Sequence, residues 1–159
     1  MIILVMGVSG SGKTTVGEKL AESLGWEFRD ADDFHPQKNI EKMHNGIALD
    51  DADRLPWLHN IQDAIKQCLS ENKDLVLTCS ALKENYRQMI LLDKESVKLV
   101  YLKGDFELIQ ERLKERSNHF MSEQLLKSQF DILEEPCDAI KVDISQPLEA
   151  IVQEIIDKL

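Results

Sequence analysis

The chain has 159 residues, 43% hydrophobic and 30% charged, with a formal net charge of -10, a balance that fits one globular domain with a proper core. The acidic surplus, without a run of Lys or Arg, argues against DNA or RNA as a partner, and no apolar run nears the ~18 residues of a membrane span. Three cysteines, Cys68, Cys79 and Cys137, lack C-x-x-C spacing, which argues against a disulfide framework or a zinc site and predicts reduced residues in or near the core.

In chain order, the first apolar run covers residues 2–6 and reads as a strand; it starts too close to residue 1 to leave room for a leader peptide, so a cytoplasmic setting is expected. A helix follows over 13–24, stopping at Gly25, and a second strand over 27–30. Helical stretches at 36–45, ending at Gly46, and 56–69, with Leu58, Ile61, Ile65 and Leu69 on one stripe, precede a third strand at 75–79. A helix after that strand carries Lys83 and Arg87. Strands at 98–102 and 139–142 complete the set. Asp105 can cap a helix running to Arg116, and Pro147 opens the last helix, 148–157. Strands alternating with helices imply a parallel α/β sheet, with residues 1–159 as one domain and no linker or repeat.

Residues 7–14 read GVSGSGKT, matching G-x-x-x-x-G-K-[ST] at every constrained position between a strand and a helix. Glycine lets such a loop turn tightly so that backbone N–H groups and the helix N-terminus face phosphate oxygens. Gly7, Val8, Ser9, Gly10, Ser11, Gly12, Lys13, Thr14 and Thr15 are therefore the expected nucleotide-binding residues, for ATP. Lys13 would reach the β- and γ-phosphates and Thr14 would ligate Mg²⁺.

A Walker B strand usually ends in Asp, but here the third strand ends LVLTCS, so carboxylate help for the metal must come from elsewhere. The segment RDADDF crowds Asp30, Asp32 and Asp33 at the end of the second strand, the edge where parallel sheets bind ligands. If strand spacing persists, Asp30 and Asp32 project together while Asp33 faces away or caps the next helix. The expected roles are metal binding for Asp30 and a general base on the acceptor hydroxyl for Asp32. An acidic loop that only caps a helix would read the same way. His35 and His44 lack partners at metal-ligand spacing, and Trp57 is expected to anchor its helix against the sheet.

Six segments in this order, GVSGSGKTTVG, DADDFHPQKNIEKM, DRLPWL, CSALKENYR, NHFM and SQFDILEEP, resemble the gluconokinases, small P-loop sugar-acid kinases related in fold to shikimate kinase. The resemblance implies a three-layer α/β P-loop kinase fold with a five-stranded parallel sheet in the order 2-3-1-4-5. It also implies transfer of the γ-phosphoryl of ATP to the 6-hydroxyl of D-gluconate with Mg²⁺, and a homodimer. Asn118 stands where the family often carries Gly.

A sugar-acid carboxylate is best held by arginine, and Arg54 and Arg87 lie near expected strand ends. The shikimate kinase arrangement favours Arg54; an ion pair with Asp50, Asp51 or Asp53 would occupy it equally well, and pairing with Glu84 would account for Arg87. A lid is expected at about 112–130. Related kinases would put Arg112 near the adenine or α-phosphate and Arg116 near the transferring group, as a catalytic residue. An ordinary charged helix would also explain Arg112, since Glu111 and Glu115 alternate with these arginines. Adenine is expected near Ser145, Gln146 and Pro147. Another small-acid kinase, such as one for shikimate, and a non-catalytic nucleotide-binding module are the alternatives.

Overall fold

A computed structural model describes residues 1–115 and 123–159. Five parallel strands, β1 (Ile2–Met6), β2 (Glu27–Asp30), β3 (Leu75–Thr78), β4 (Val97–Lys103) and β5 (Ile140–Asp143), form one sheet in the order β2-β3-β1-β4-β5. This is the expected order. Seven helices are described: α1 (Lys13–Leu24), α2 (Gln37–His44), α3 (Asp51–Ser70), α4 (Glu84–Ile90), α5 (Phe106–Glu115), α6 (Glu123–Ile132) and α7 (Leu148–Lys158).

Alternation along β1 explains the three layers. Ile2, Leu4 and Met6 face a core shared with Leu58, Ile61 and Ile65 of α3 and Ile90 of α4. Ile3 and Val5 face the opposite core, shared with Leu20 of α1, Ile109 of α5 and Ile151 and Ile155 of α7. Successive side chains on a strand point to opposite faces, so a central strand covered on both sides must be apolar throughout, and every residue of β1 is fully buried. Truncating Ile61 to Ala would cost about 2–5 kcal/mol, the range for a buried aliphatic residue.

The third helix begins at Asp51 rather than at residue 56. Asp50 accepts from the Asp53 N–H while the Asp53 carboxylate accepts from the Asp50 N–H, a reciprocal cap strong enough to start the helix five residues before Pro56. Pro56 therefore lies inside the helix, not at its first position. Lys42 completes the cap with 2.9 Å contacts to both Asp53 oxygens. Asp105 caps α5 as expected, accepting from the Leu108 N–H at 2.8 Å.

The sequence reading contained no helix at 123–132; it treated that stretch as lid. Leu126 buries itself against the α5 face and Phe130 meets Phe106 edge-on at 5.7 Å, and these contacts hold α6 in place. Arg116 and Asn118 lie outside the described residues. Cys68 and Cys79 are buried as expected, whereas Cys137 is exposed, because it sits in the loop before β5 rather than on an element. Trp57 is anchored, donating from Nε1 to the Ala31 carbonyl at 2.7 Å. No described helix is long and apolar enough to cross a membrane.

Candidate active site

The phosphate loop leaves the C-terminal end of β1, which lies between β3 and β4. Gly10 and Gly12 have φ of +82° and +91°, a region open to glycine with little strain. A side chain at Gly10 would meet Leu113 Cγ at 2.8 Å, so the loop rests directly on α5. Behind it, Val16 is the first residue of α1 to bond back, to the Gly12 carbonyl at 2.9 Å, and among the described residues the N–H groups of Lys13, Thr14 and Thr15 have no partner and can meet an anion.

Lys13 folds over its own loop, donating from Nζ to the carbonyls of Gly7 at 2.9 Å and Val8 at 3.2 Å. Burial pushes its pKa below the ordinary lysine value, while Cys79, Asp32 and Asp30 pull it back up. Lys13 and both aspartates thus share one electrostatic neighbourhood. Not every polar group of residues 7–15 is available to a nucleotide, however. The Ser11 N–H and hydroxyl both bond the Val8 carbonyl, at 3.2 and 2.7 Å, and the Ser9 N–H donates to Gln129 Oε1 at 2.8 Å.

The acidic cluster departs from strand spacing. Strand β2 stops at Asp30 and the chain tightens into a 3₁₀ turn over Ala31–Phe34, because the Asp30 carboxylate caps it by accepting from the Asp32 N–H at 2.9 Å. Asp33 does not cap α2, whose N-cap is Pro36 with no side-chain bond. Burial raises the Asp30 pKa above the ordinary aspartate value, the Asp32 N–H lowers it, and repulsion from Asp32 and Asp33 adds to the rise. Asp32 is 80% exposed, yet desolvation by nearby protein atoms raises its pKa, with Lys13 opposing and Asp33 adding repulsion.

His35, set aside in the sequence, joins the cluster to the acceptor side. Its ring stacks on Trp57 at 4.4 Å and its Nε2 lies 3.9 Å from Asp32 Oδ1. Burial lowers its pKa, and the positive charge of Arg54 lowers it further. Arg54 therefore sits beside the same cleft, donating to the Tyr86 hydroxyl at 3.2 Å and lying 4.0 Å from Asp51. Tyr86 in turn donates to Asp51, and Lys83 reaches the same carboxylate at 3.5 Å. The ion pair with Asp51 that the sequence left open is present, but it is shared among Arg54, Lys83 and Tyr86.

Arg87 is not part of this group. It is 1% exposed, and its guanidinium donates to the carbonyls of Ala81, Leu82 and Glu134 and to Glu84. The expected substrate-binding role is corrected to a structural one: these bonds fasten the turn after β3 to the segment after α6. Arg112 donates to the Ile144 carbonyl, which brings it beside residues 145–147. Gln146 spends its amide on the Asp143 carbonyl and Glu154, and Pro147 is the N-cap of α7. A cavity of about 490 Å³ opens at the ends of β4 and β5, lined by Gly104, Asp105, Leu108, Asp143 and Ser145 among others.

Sequence reasoning missed Tyr86 and Gln129 and gave Lys83 no role, although all three lie in segments it singled out. Their signal was tertiary: Tyr86 and Asp51 are 35 residues apart, and Gln129 and Ser9 are 120 apart. For a divalent cation, the Thr14 hydroxyl and the Asp30 carboxylate are oxygen donors of the kind suited to Mg²⁺.

The shikimate kinase family pattern matches residues 9–159. The thermoresistant gluconokinase of Escherichia coli K12 is 44% identical over 98% of this chain and 91% of its own length. Among solved structures, a gluconokinase from Sinorhizobium meliloti 1021 superposes with a TM-score of 0.82 at 42% identity, covering 98% of this chain and 89% of that one. A sugar kinase from Janibacter sp. HTCC2649 superposes with a TM-score of 0.87 at 40% identity, covering 98% and 92% of the two chains.

Proposed function

This chain belongs to the gluconokinase family of P-loop kinases, and from that premise we propose that it transfers the γ-phosphoryl group of ATP to the 6-hydroxyl of D-gluconate, giving 6-phosphogluconate and ADP. The observation that carries the reading is the continuity of one cleft edge: Lys13 and Asp32 perturb each other's titration, Asp32 approaches His35, and His35 feels Arg54. A phosphate end and a carboxylate-binding end are thereby joined across a single aspartate.

In this reading the α1 N-terminus and Lys13 bind the phosphates, and Lys13 leaves the Gly7 and Val8 carbonyls to meet the transferring group. Asp32 accepts a hydrogen bond from the acceptor hydroxyl and orients it; in a loose phosphoryl transfer this orientation contributes more than full deprotonation. Arg54 holds the sugar-acid carboxylate, with Lys83 beside it supplying a second positive charge. His35, stacked on Trp57, fixes the distance between the two ends. Thr14 and Asp30 would hold Mg²⁺, which when bound neutralises charge on the phosphates. Arg112 and the cavity next to Ser145 serve the adenine side, and Arg116 is the proposed charge-stabilising arginine. A homodimer and a cytoplasmic setting belong to the same reading.

An assay of ADP release with ATP and Mg²⁺, over gluconate, shikimate, glucose, glycerate and no acceptor, tests the reading. Gluconate should give the highest kcat/KM. A preference for shikimate would make the chain a kinase of a different small acid, and equal release with and without acceptors would leave only a nucleotide-binding module.

A further inference from the structure

Gln129 holds the phosphate loop in a way that the assigned chemistry does not use. Its side chain forks onto a single residue 120 positions away: Oε1 accepts from the Ser9 N–H at 2.8 Å, and Nε2 lies 3.0 Å from Ser9 Oγ. The orientation of the amide follows from chemistry alone. A backbone N–H can only donate, so the amide oxygen must face it, and the NH₂ group must then face the hydroxyl. Ser9 Oγ is therefore an acceptor toward Gln129, and its own proton is left for another partner. Among the described residues, no hydrogen bond takes that proton.

The anchoring of α6 makes the fork rigid. Leu126 is 1% exposed within the core that also contains Val8 and Leu113. Beyond the helix, the Glu134 N–H donates to the Leu82 carbonyl at 2.8 Å and the Glu134 carbonyl accepts from Arg87 at 2.6 Å. Gln129 thus lies between the buried Leu126 and the Glu134 backbone contacts, and it meets a loop whose next residue, Gly10, rests on Leu113.

We propose that Gln129 is a positioning residue that orients Ser9, so that the Ser9 hydroxyl donates its free proton to the terminal phosphoryl group of the bound nucleoside triphosphate. The proposal rests on the kinase reading of the phosphate loop, but not on the identity of the acceptor. Gln129 touches no substrate. It acts by using the Ser9 N–H and one face of the Ser9 oxygen, which turns the hydroxyl proton away from Gln129.

The test is a double-mutant cycle of Ser9→Ala and Gln129→Ala, with Gln129→Glu as a third variant. Affinities for ADP and for a non-hydrolysable ATP analogue, both with Mg²⁺, are measured by calorimetry beside steady-state kinetics and melting temperature. Each single variant should lose roughly 10-fold in kcat and in the affinity ratio of triphosphate analogue to ADP, the scale of one charge-assisted hydrogen bond. ADP affinity and acceptor KM should stay within about twofold, because the hydroxyl addresses only the terminal group. The double variant should be no worse than the poorer single one, as expected of two residues acting as a unit. Gln129→Glu keeps the acceptor for the Ser9 N–H but loses the donor and adds negative charge near phosphate, so it should discriminate against the triphosphate more strongly than Gln129→Ala.

Equal loss of ADP and triphosphate affinity, multiplicative single effects, or unchanged kcat in Gln129→Ala would each overturn the proposal. A drop in melting temperature alone would do the same, since it would make Gln129 a purely structural contact. Nucleotide binding is measured without any acceptor, so a failed gluconate assay would remove the acceptor reading and leave this cycle standing.

Discussion

The two ends of the cleft are built by different means. At the nucleotide end, the functional groups are mostly main-chain: the N–H groups at the start of α1 and two left-handed glycines, contributed by consecutive residues of one loop. At the proposed acceptor end they are side chains from separate elements, Asp32 in the 3₁₀ turn, Arg54 and Asp51 on α3, and Tyr86 and Lys83 at the start of α4. Backbone donors work regardless of neighbouring side chains, whereas a carboxylate clamp depends on how Asp51 is shared among three partners. Phosphate binding should therefore be robust and common to many kinases, while acceptor choice should depend on a few exchangeable contacts.

Removing the charged side chain of the phosphate loop should have the largest effect. Lys13→Ala should lower kcat on the order of 10³-fold, the upper scale for a donor aimed at developing charge, in an assay with saturating ATP and gluconate. Near wild-type turnover would mean that the backbone cradle suffices and would break the comparison at its stronger end.

The boundary between the ends should respond less. Asp32→Asn keeps the shape and a hydrogen bond but places an amide against the acceptor hydroxyl, so kcat should fall roughly 10-fold or more, with no recovery as Mg²⁺ is raised. Asp30→Asn should lose only several-fold and regain part of the rate at high Mg²⁺, since second-sphere metal partners typically matter 10- to 100-fold at most, as a rough bound. Rescue of the Asp32 variant and not of the Asp30 variant would reverse the two roles.

Acidity should produce the smallest and most graded change. Both aspartates titrate above the ordinary value of 3.8, so the acid limb of kcat should lie above that value and the wild-type rate should fall before the fold does. The signs differ between the site and the α3 cap. A raised carboxylate pKa means that the folded chain binds its proton more tightly than the unfolded one, so Asp30 and Asp32 oppose folding at neutral pH and that penalty is relieved on acidification. Asp53 is held below 3.8 by Lys42 and the Asp50 N–H, so its contribution to stability is present above 3.8 and is lost as pH falls through its lower folded value. A pH–rate profile recorded beside circular dichroism should show activity lost first; coincident loss would contradict this order.

The sequence was most legible where function and fold are local. The phosphate loop, α1 and the strand order could be inferred because eight consecutive residues, one apolar stripe and a family resemblance carry them. The Asp30–Asp32 spacing misled because a carboxylate that caps its own turn ends the strand, and period-two reasoning stops there. Arg54 and Arg87 looked alike in sequence, yet three backbone carbonyls claim Arg87 while Arg54 remains 31% exposed beside the cleft. Gln129 was invisible because nothing in the local pattern of α6 says that its side chain meets residue 9.

Separability of the two ends is most directly measured by an initial-rate matrix for Arg54→Ala, with ATP and gluconate varied independently. Loss of the carboxylate clamp should lower kcat/KM for gluconate about 10²-fold, through KM, the scale expected for a hydrogen-bonded ion pair of a few kcal/mol. The KM for ATP should remain within about twofold of wild type. A matching rise in the KM for ATP, with gluconate binding spared, would put Arg54 on the nucleotide side and contradict the division of the cleft.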